Sequence, residues 1–195
     1  MRTLAHISFA LVLSLFAFPH AAAAQAPPLV LYTDLLSGPN SGGENNLGTY
    51  LSIFGKNFGE ASGLGSVTKV FIGGAEVAAY RYLGPSQGRL DIQQITVQIG
   101  ALNNPKPGVA LPIEVRVGTQ KSKSFSPQTF TVNPGRILFV SLQGDDATAI
   151  PGDISHPWRH LQTSAAALSG VWGAAKPGDV VVLRGGLWTD LGFSN

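Results

Sequence analysis

The chain has 195 residues, 44% of them hydrophobic and 12% charged, with a formal net charge of +2. That apolar share excludes a wholly disordered chain, and so small a charge excludes a basic face for nucleic acid. With no Cys, 24 Gly and 13 Pro, there is no disulfide framework, thiol nucleophile or Cys-ligated zinc, and many turns between short strands are expected.

The first element is an address. Arg2 supplies a positive start, Ile7 to Phe18 is an apolar run broken by Ser8 and Ser14, and Ala22, Ala23 and Ala24 offer a small-residue cleavage site before Gln25. This layout predicts residues 1–24 as a secretory signal peptide. The apolar run falls short of the ~20 residues that span a bilayer, and no later stretch is predicted to cross one. The expected location is secreted, periplasmic or at the cell surface, and the absence of Cys suits a bacterial exported protein.

Residues 28–133 read as short strands. Leu111, Ile113, Val115 and Val117 alternate with Pro112, Glu114 and Arg116, and Ile95, Val97 and Ile99 alternate with Thr96 and Gln98. A period of two marks strands with one face on a core and one in water. Leu51 and Ile53 alternate in the same way, Val70 and Ile72 precede a Gly73-Gly74 turn, and Phe130 and Val132 close the segment. Turn residues every ten or so positions predict an antiparallel sandwich. Gly55 and Gly59 are expected at positive φ, Phe58 as a plug in the sandwich end, and Asn57 as a hydrogen-bonding residue of its own turn.

The order Gly42-Gly43, then Leu51-Ser52-Ile53-Phe54-Gly55-Lys56-Asn57-Phe58-Gly59, then Val70-Phe71-Ile72-Gly73-Gly74 resembles the IPT/TIG immunoglobulin-like domain. Ser126 to Val132 resembles its closing strand, and Glu44 to Leu47 departs from its usual Thr-rich approach to the second strand. The resemblance implies an immunoglobulin-like fold over 28–133 and gives these residues structural roles.

Residues 135–195 change character. Arg136 to Leu142 is an apolar strand, followed by Gly144-Asp145-Asp146 and a polar loop through Pro151-Gly152-Asp153. Trp158, Leu161, Ala165, Leu168 and Trp172 recur at helical spacing, so a helix is predicted with Pro157 in its first turn and Ser155 as its cap. Lys176-Pro177-Gly178-Asp179 stops it. Val180 to Leu183 is a continuous apolar run, which suits a strand of a parallel sheet buried on both faces.

This succession is similar to the start of a right-handed parallel β-helix in polysaccharide lyases of the chondroitinase B, alginate lyase and pectate lyase type. The matching residues are Val140-Ser141, Gly144-Asp145-Asp146, Pro157-Trp158 with Leu161-Gln162, Pro177-Gly178-Asp179, and Arg184-Gly185-Gly186 with Trp188. The resemblance implies a helix capping the solenoid's open end, which otherwise exposes unpaired backbone. The expected fold is therefore mainly β: an Ig-like antiparallel sandwich over 28–133, then over 135–195 the cap and first coil of an incomplete β-helix. Several stacked coils are needed to bury a solenoid core, so the chain reads as a fragment. The lyase base, its charge-neutralising cation and any Ca²⁺ belong to later coils in the family, and no residue here matches them.

Candidate site residues follow. Asp145, Asp146 and Asp153 can offer hard oxygens to Ca²⁺, yet Asp in Gly-rich loops is usually turn chemistry. His156 and His160 are four apart and can share a helical face as a metal pair, although no H-E-x-x-H pattern accompanies them. Trp158, Trp172 and Trp188 can stack on sugar rings, with core packing favoured by the spacing. Arg184 can meet an acidic sugar, although pairing with a carboxylate is the more ordinary fate of a strand-end Arg. Ser141 and Ser164 lack a nucleophile elbow, and Lys121 and Lys123 read as solvated. The chain as it stands is expected to be non-catalytic. The resemblance implies a polysaccharide partner, acidic if the lyase likeness holds. The alternative is a non-enzymatic surface, adhesion or carbohydrate-binding protein.

Overall fold

A computed structural model describes residues 26–103, 105–124, 126–162, 170–186 and 188. The signal peptide read at 1–24, and Ser164, Ala165 and Leu168 of the expected helix, lie outside the described residues. No helix among those described is long and apolar enough to cross a membrane.

The described chain is mainly β. Its strands are β1 (Leu29–Thr33), β2 (Ser37–Gly38), β3 (Tyr50–Lys56), β4 (Thr68–Ile72), β5 (Ala75–Glu76), β6 (Ala79–Ser86) and β7 (Arg89–Gln98). There follow β8 (Ala110–Val117), β9 (Gln120–Lys121), β10 (Lys123–Ser124), β11 (Thr129–Val132) and β12 (Ile137–Val140), then helix α1 (Gly170–Ala174) and β13 (Val180–Leu183). Two sheets face each other in an Ig-like sandwich, one ordered β10-β1-β3-β7-β6 and the other β2-β11-β8-β4-β5, with β9 folded back on β8.

The alternating residues meet between these sheets. Leu51, Ile53, Ile95 and Val97 come from one side and Val70, Ile72, Ile113, Val115, Phe130 and Val132 from the other, all in one buried cluster. The interior pairings are antiparallel, as the alternation implies. Two edges are not: β1 pairs with β10, and β2 with β11, in parallel. The reason is that the first segment changes sheets. Thr33 Oγ1 donates to the Leu35 carbonyl at 2.9 Å, and the Asp34 carboxylate accepts the Ser52 amide at 2.8 Å. These bonds bend the chain between β1 and β2, so each sheet takes half of the opening segment beside a piece of the closing one.

The G-x-N-F-G turn works differently from its expected form at two residues. Gly59 has φ +84°, but Gly55 is not in the positive-φ region. Gly55 is required by close approach: a Cβ there would lie 2.0 Å from the Leu29 carbonyl oxygen and 2.4 Å from Phe58 Cζ. Asn57 adopts φ 60°, and its Nδ2 donates to the Pro27 carbonyl at 3.2 Å, so it ties down the incoming chain rather than its own turn. Phe58 is fully buried, as expected of a plug.

Beyond the sandwich, β12 and β13 form a parallel pair in continuous register, from Ile137 opposite Val180 to Val140 opposite Leu183. Every residue of β12 is buried. Leu138 and Val140 enter a second, smaller cluster with Trp158, Leu161 and Val171. On the opposite face, Ile137 approaches Gly43 of the sandwich so closely that a Cβ on that glycine would sit 2.8 Å from Ile137 Cδ1.

The predicted helix start at Pro157 is overturned. Trp158 pairs with Val140 as a parallel bridge. Its amide donates to the Phe139 carbonyl at 2.8 Å, and the Ser141 amide donates to its carbonyl at 2.9 Å. Ser155 caps nothing there. The described helix is α1, which buries Val171 and leaves Trp172 37% exposed. The spacing of Trp158 and Leu161 reflects a bridge and bend that reach the same core. β13 also differs from expectation, because three of its residues are half-buried and Leu183 is exposed. Among the described residues it has one strand partner, β12.

Candidate functional site

A polar cleft of about 410 Å³ opens where β12 and β13 end, lined by Ser141, Gln143, Ser155, Pro157, Arg184 and Gly185. The backbone builds it from three segments. After β12 the chain turns sharply, with the Gly144 amide donating to the Ser141 carbonyl at 2.8 Å. A Cβ on Gly144 would lie 2.2 Å from the Trp158 carbonyl oxygen, so this corner admits only glycine. Ser141 Oγ accepts the Gln143 amide at 3.3 Å and lies at the same distance from Gln143 Oε1. On the other strand, the Arg184 amide donates to the Val140 carbonyl at 2.9 Å, which fixes the start of the Arg184 side chain beside Ser141.

The acidic residues are turn chemistry. Asp145 accepts the Ala147 amide at 3.0 Å and Thr148 Oγ1 at 3.3 Å. One oxygen of Asp146 accepts the amides of Arg159 and His160, and the other meets His160 Nδ1 at 2.7 Å. Partial burial works to raise the Asp146 pKa, but the hydrogen bonds from the His160 ring and the two amides outweigh it and hold it below the ordinary value. Asp153 accepts the Ser155 amide at 2.7 Å and meets His156 Nδ1 at 2.7 Å. The His156 hydrogen bond, and then the Ser155 amide, hold its carboxyl low. His156 and His160 therefore each serve a different aspartate and do not share a helical face. Among the described residues, no three His, Asp or Glu side chains stand together so as to hold a metal ion.

Arg184 has no carboxylate partner among the described residues; its guanidinium donates to the Ile154 carbonyl at 3.3 Å. The ordinary strand-end pairing is taken by Arg136 instead. Arg136 Nη2 lies 2.6 Å from Asp179 Oδ2, and its amide donates to Asp179 Oδ1 at 2.8 Å. Of the three tryptophans, Trp158 is buried in the second core, Trp172 is exposed, and Trp188 packs on that core while its Nε1 donates to the Arg184 carbonyl at 3.0 Å. Ser164 lies outside the described residues. Lys121 reaches Glu114 at 3.4 Å and remains exposed, as read from the sequence.

A polar network at the near end of the sandwich was not legible in the sequence. Tyr50 donates its hydroxyl to Glu44, whose carboxylate also pairs with Arg81 at 3.1 Å. Arg81 Nε donates to Gln98 Oε1 at 2.9 Å, and the fully buried Gln98 returns bonds to the Glu44 and Gly48 carbonyls. Burial, with the Glu44 contact adding to it, pushes the Tyr50 hydroxyl up to about 12, while the charges of Arg81 and Arg184 act the other way. The Arg184 side of the cleft thus faces a sandwich surface whose acid is already neutralised. A second cavity of about 680 Å³ lies where the sandwich hands over to β12, with Pro39, Pro105, Lys106, Pro107 and Pro134 in its wall.

Residues 36–132 match the family model described as the IPT/TIG domain. No curated protein matches the chain.

Proposed function

With residues 36–132 forming an IPT/TIG domain, we propose that the chain is the opening part of an exported, polysaccharide-directed protein. In this reading the Ig-like domain is an accessory module, and residues 135–195 begin a parallel β-helix of the polysaccharide-lyase-like kind. Residues 1–24 are the export signal, and the protein works outside the bacterial cell.

The observation that carries the reading is the pairing of β12 with β13. Two strands separated by about a coil of chain pair in parallel with no register shift, from Ile137 to Val140 and Val180 to Leu183. Trp158 adds a parallel bridge on the other edge of β12. A parallel pair needs a crossover of a dozen or more residues, and stacking of such crossovers is how a solenoid grows. The edge of β13 that no described strand pairs with is a template for another strand. In this reading the chain binds glycan, and the lyase chemistry belongs to the later coils of the full protein.

The test is affinity electrophoresis of the secreted chain in gels holding polygalacturonate, alginate, chondroitin sulfate or neutral dextran. Retardation by an acidic polymer, with no ultraviolet absorbance from unsaturated sugar ends, is the expected result. Passage through all four gels unretarded overturns the reading. Retention on bacterial surfaces without retention by any glycan moves it to adhesion.

A further inference from the structure

We infer that the cleft between Ser141, Ser155 and Arg184 is a binding site for one sugar unit carrying a single oxyanion, with Arg184 as its counter-charge. The inference rests on the polysaccharide reading and assigns that reading a site.

Four features of the cleft define the ligand. Its one lining cation, Arg184, spends a single long bond on the Ile154 carbonyl and pairs with no described carboxylate. Two acids on neighbouring segments are already used: Asp153, in the loop that carries Ser155, by His156 and the Ser155 amide, and Glu44 by Arg81 and Tyr50. One guanidinium with no described carboxylate on it matches one oxyanion, and its forked donors suit a carboxylate or sulfate. The remaining lining side chains are neutral hydrogen-bonding groups, Ser141, Gln143 and Ser155, with Pro157 as the one apolar surface. This set matches a ring that carries hydroxyls, and not an apolar ligand or a polyanion. Finally, about 410 Å³ lies toward the small end of the ~300–1,000 Å³ usual for ligand pockets, which is room for one ring and not for a length of chain.

The position is also physically sensible. The cleft sits outside the carboxyl ends of a parallel strand pair, where ligands of open parallel sheets collect. Its walls are fixed by backbone bonds: Arg184 to Val140, Ser141 to Trp158, and Gly144 to Ser141. A ligand entering here finds side chains held in place on strand ends.

The experiment uses the secreted chain, Arg184→Gln, Arg184→Lys and Ser155→Ala. Polygalacturonate supplies carboxylates, dextran sulfate supplies sulfates, and dextran supplies neither. The wild type is expected to be retarded by one of the two anionic polymers, which names the oxyanion. Arg184→Gln should weaken that retardation by about tenfold, as expected for losing a charged hydrogen-bonding partner, and Arg184→Lys should restore part of it. Ser155 is exposed, so Ser155→Ala folds normally and decides the matter if Arg184→Gln does not fold; a weaker retardation is expected. Retardation that ignores both Arg184→Gln and Ser155→Ala overturns the cleft and leaves the polysaccharide reading standing. Equal retardation by dextran overturns the charge argument. If no polymer retards the wild type, nuclear magnetic resonance with galacturonate monomer separates the two. A shift of the Arg184 Nε–H keeps the cleft and overturns the polymer reading, whereas no shift overturns both.

Discussion

Asp146 Oδ2 meets His160 Nδ1 at 2.7 Å, while Oδ1 accepts the amides of Arg159 at 2.8 Å and His160 at 3.1 Å. A single carboxylate thus clasps the loop that carries Trp158 into the second core. Charge-assisted bonds of this kind contribute about 1.5–3 kcal/mol. Asp146→Ala should therefore free the 158–161 loop, seen as faster hydrogen exchange at the Trp158 amide with the sandwich amides unchanged. Unaltered exchange at Trp158 would remove the clasp from the account.

The same carboxylate sets an acid limit. Its pKa lies below the ordinary 3.8 because the His160 and backbone hydrogen bonds outweigh partial burial. A lowered folded-state pKa gives stability that is complete above the unfolded value and lost as pH falls through the folded one. Protection of the Trp158 amide, taken as its exchange relative to the intrinsic rate at each pH, should stay constant from neutral pH down to about pH 4, and the relative exchange should rise below it. Asp146→Asn should flatten that rise. A rise already present near pH 6 would point to a group other than this carboxylate.

Arg136 and Asp179 hold the parallel pair at its start. The Asp179 side chain is 4% exposed and accepts the Arg136 amide, the Arg136 guanidinium and the Lys176 amide. Burial opposes its charge, but the Arg136 hydrogen bonds dominate and its pKa is low. Only the Asp179 side of this pair is buried, and Arg136 is 36% exposed, so solvent screening reduces the cost of breaking it, and losing these charged hydrogen bonds should cost about 1.5–3 kcal/mol. Asp179→Ala should separate β13 from β12, read as loss of protection at the Val180 and Arg184 amides. Full protection there would show that side-chain packing alone holds the pair.

Gly55→Ala tests the β1–β3 contact. An added Cβ would meet the Leu29 carbonyl oxygen at 2.0 Å and Phe58 Cζ at 2.4 Å. Neither backbone nor a fully buried ring can move aside cheaply, so the cost should reach about 3 kcal/mol. Denaturant unfolding of the sandwich measures it. Gly74→Ala has open space around its Cβ and bears only the strain of φ +83°, so it should cost about 1 kcal/mol.

The sandwich was largely legible because each of its long strands has one dry face. Leu51/Ile53, Ile95/Val97 and Ile113/Val115 announce themselves by alternation, and all are buried as read. The G-x-N-F-G and I-G-G turns then placed those strands in a known family. What alternation cannot show is pairing at the edges, where β2, β9 and β10 are two residues long. The helix misread at Pro157 has a similar origin. Apolar residues three apart fit a helix face, but Trp158 and Leu161 reach one core through a bridge and a bend. Asp153–His156 lies three residues apart and was open to an Asx-turn reading. Asp146–His160 spans the whole loop and leaves no local trace, and the Arg184 bond to the Ile154 carbonyl is a fact of three dimensions only.

The two buried clusters differ enough in size to predict the order in which the molecule opens. The sandwich core draws on β1, β3, β4, β6, β7, β8 and β11. The second core consists of Leu138, Val140, Trp158, Leu161 and Val171, with β13 half-exposed beside it. Few buried contacts among the described residues place this C-terminal part at the low end of local stability. Limited trypsin digestion should cut first at the exposed Arg159 or Arg184 and leave a fragment that carries the sandwich. Ile137, packed on Gly43, should mark where protection begins to fall. If the C-terminal segment resists as long as the sandwich, then Ile137 and its neighbours bind the second core to the first as one cooperative unit. In that case the C-terminal segment gains its stability from the Ig-like domain on which Ile137 packs.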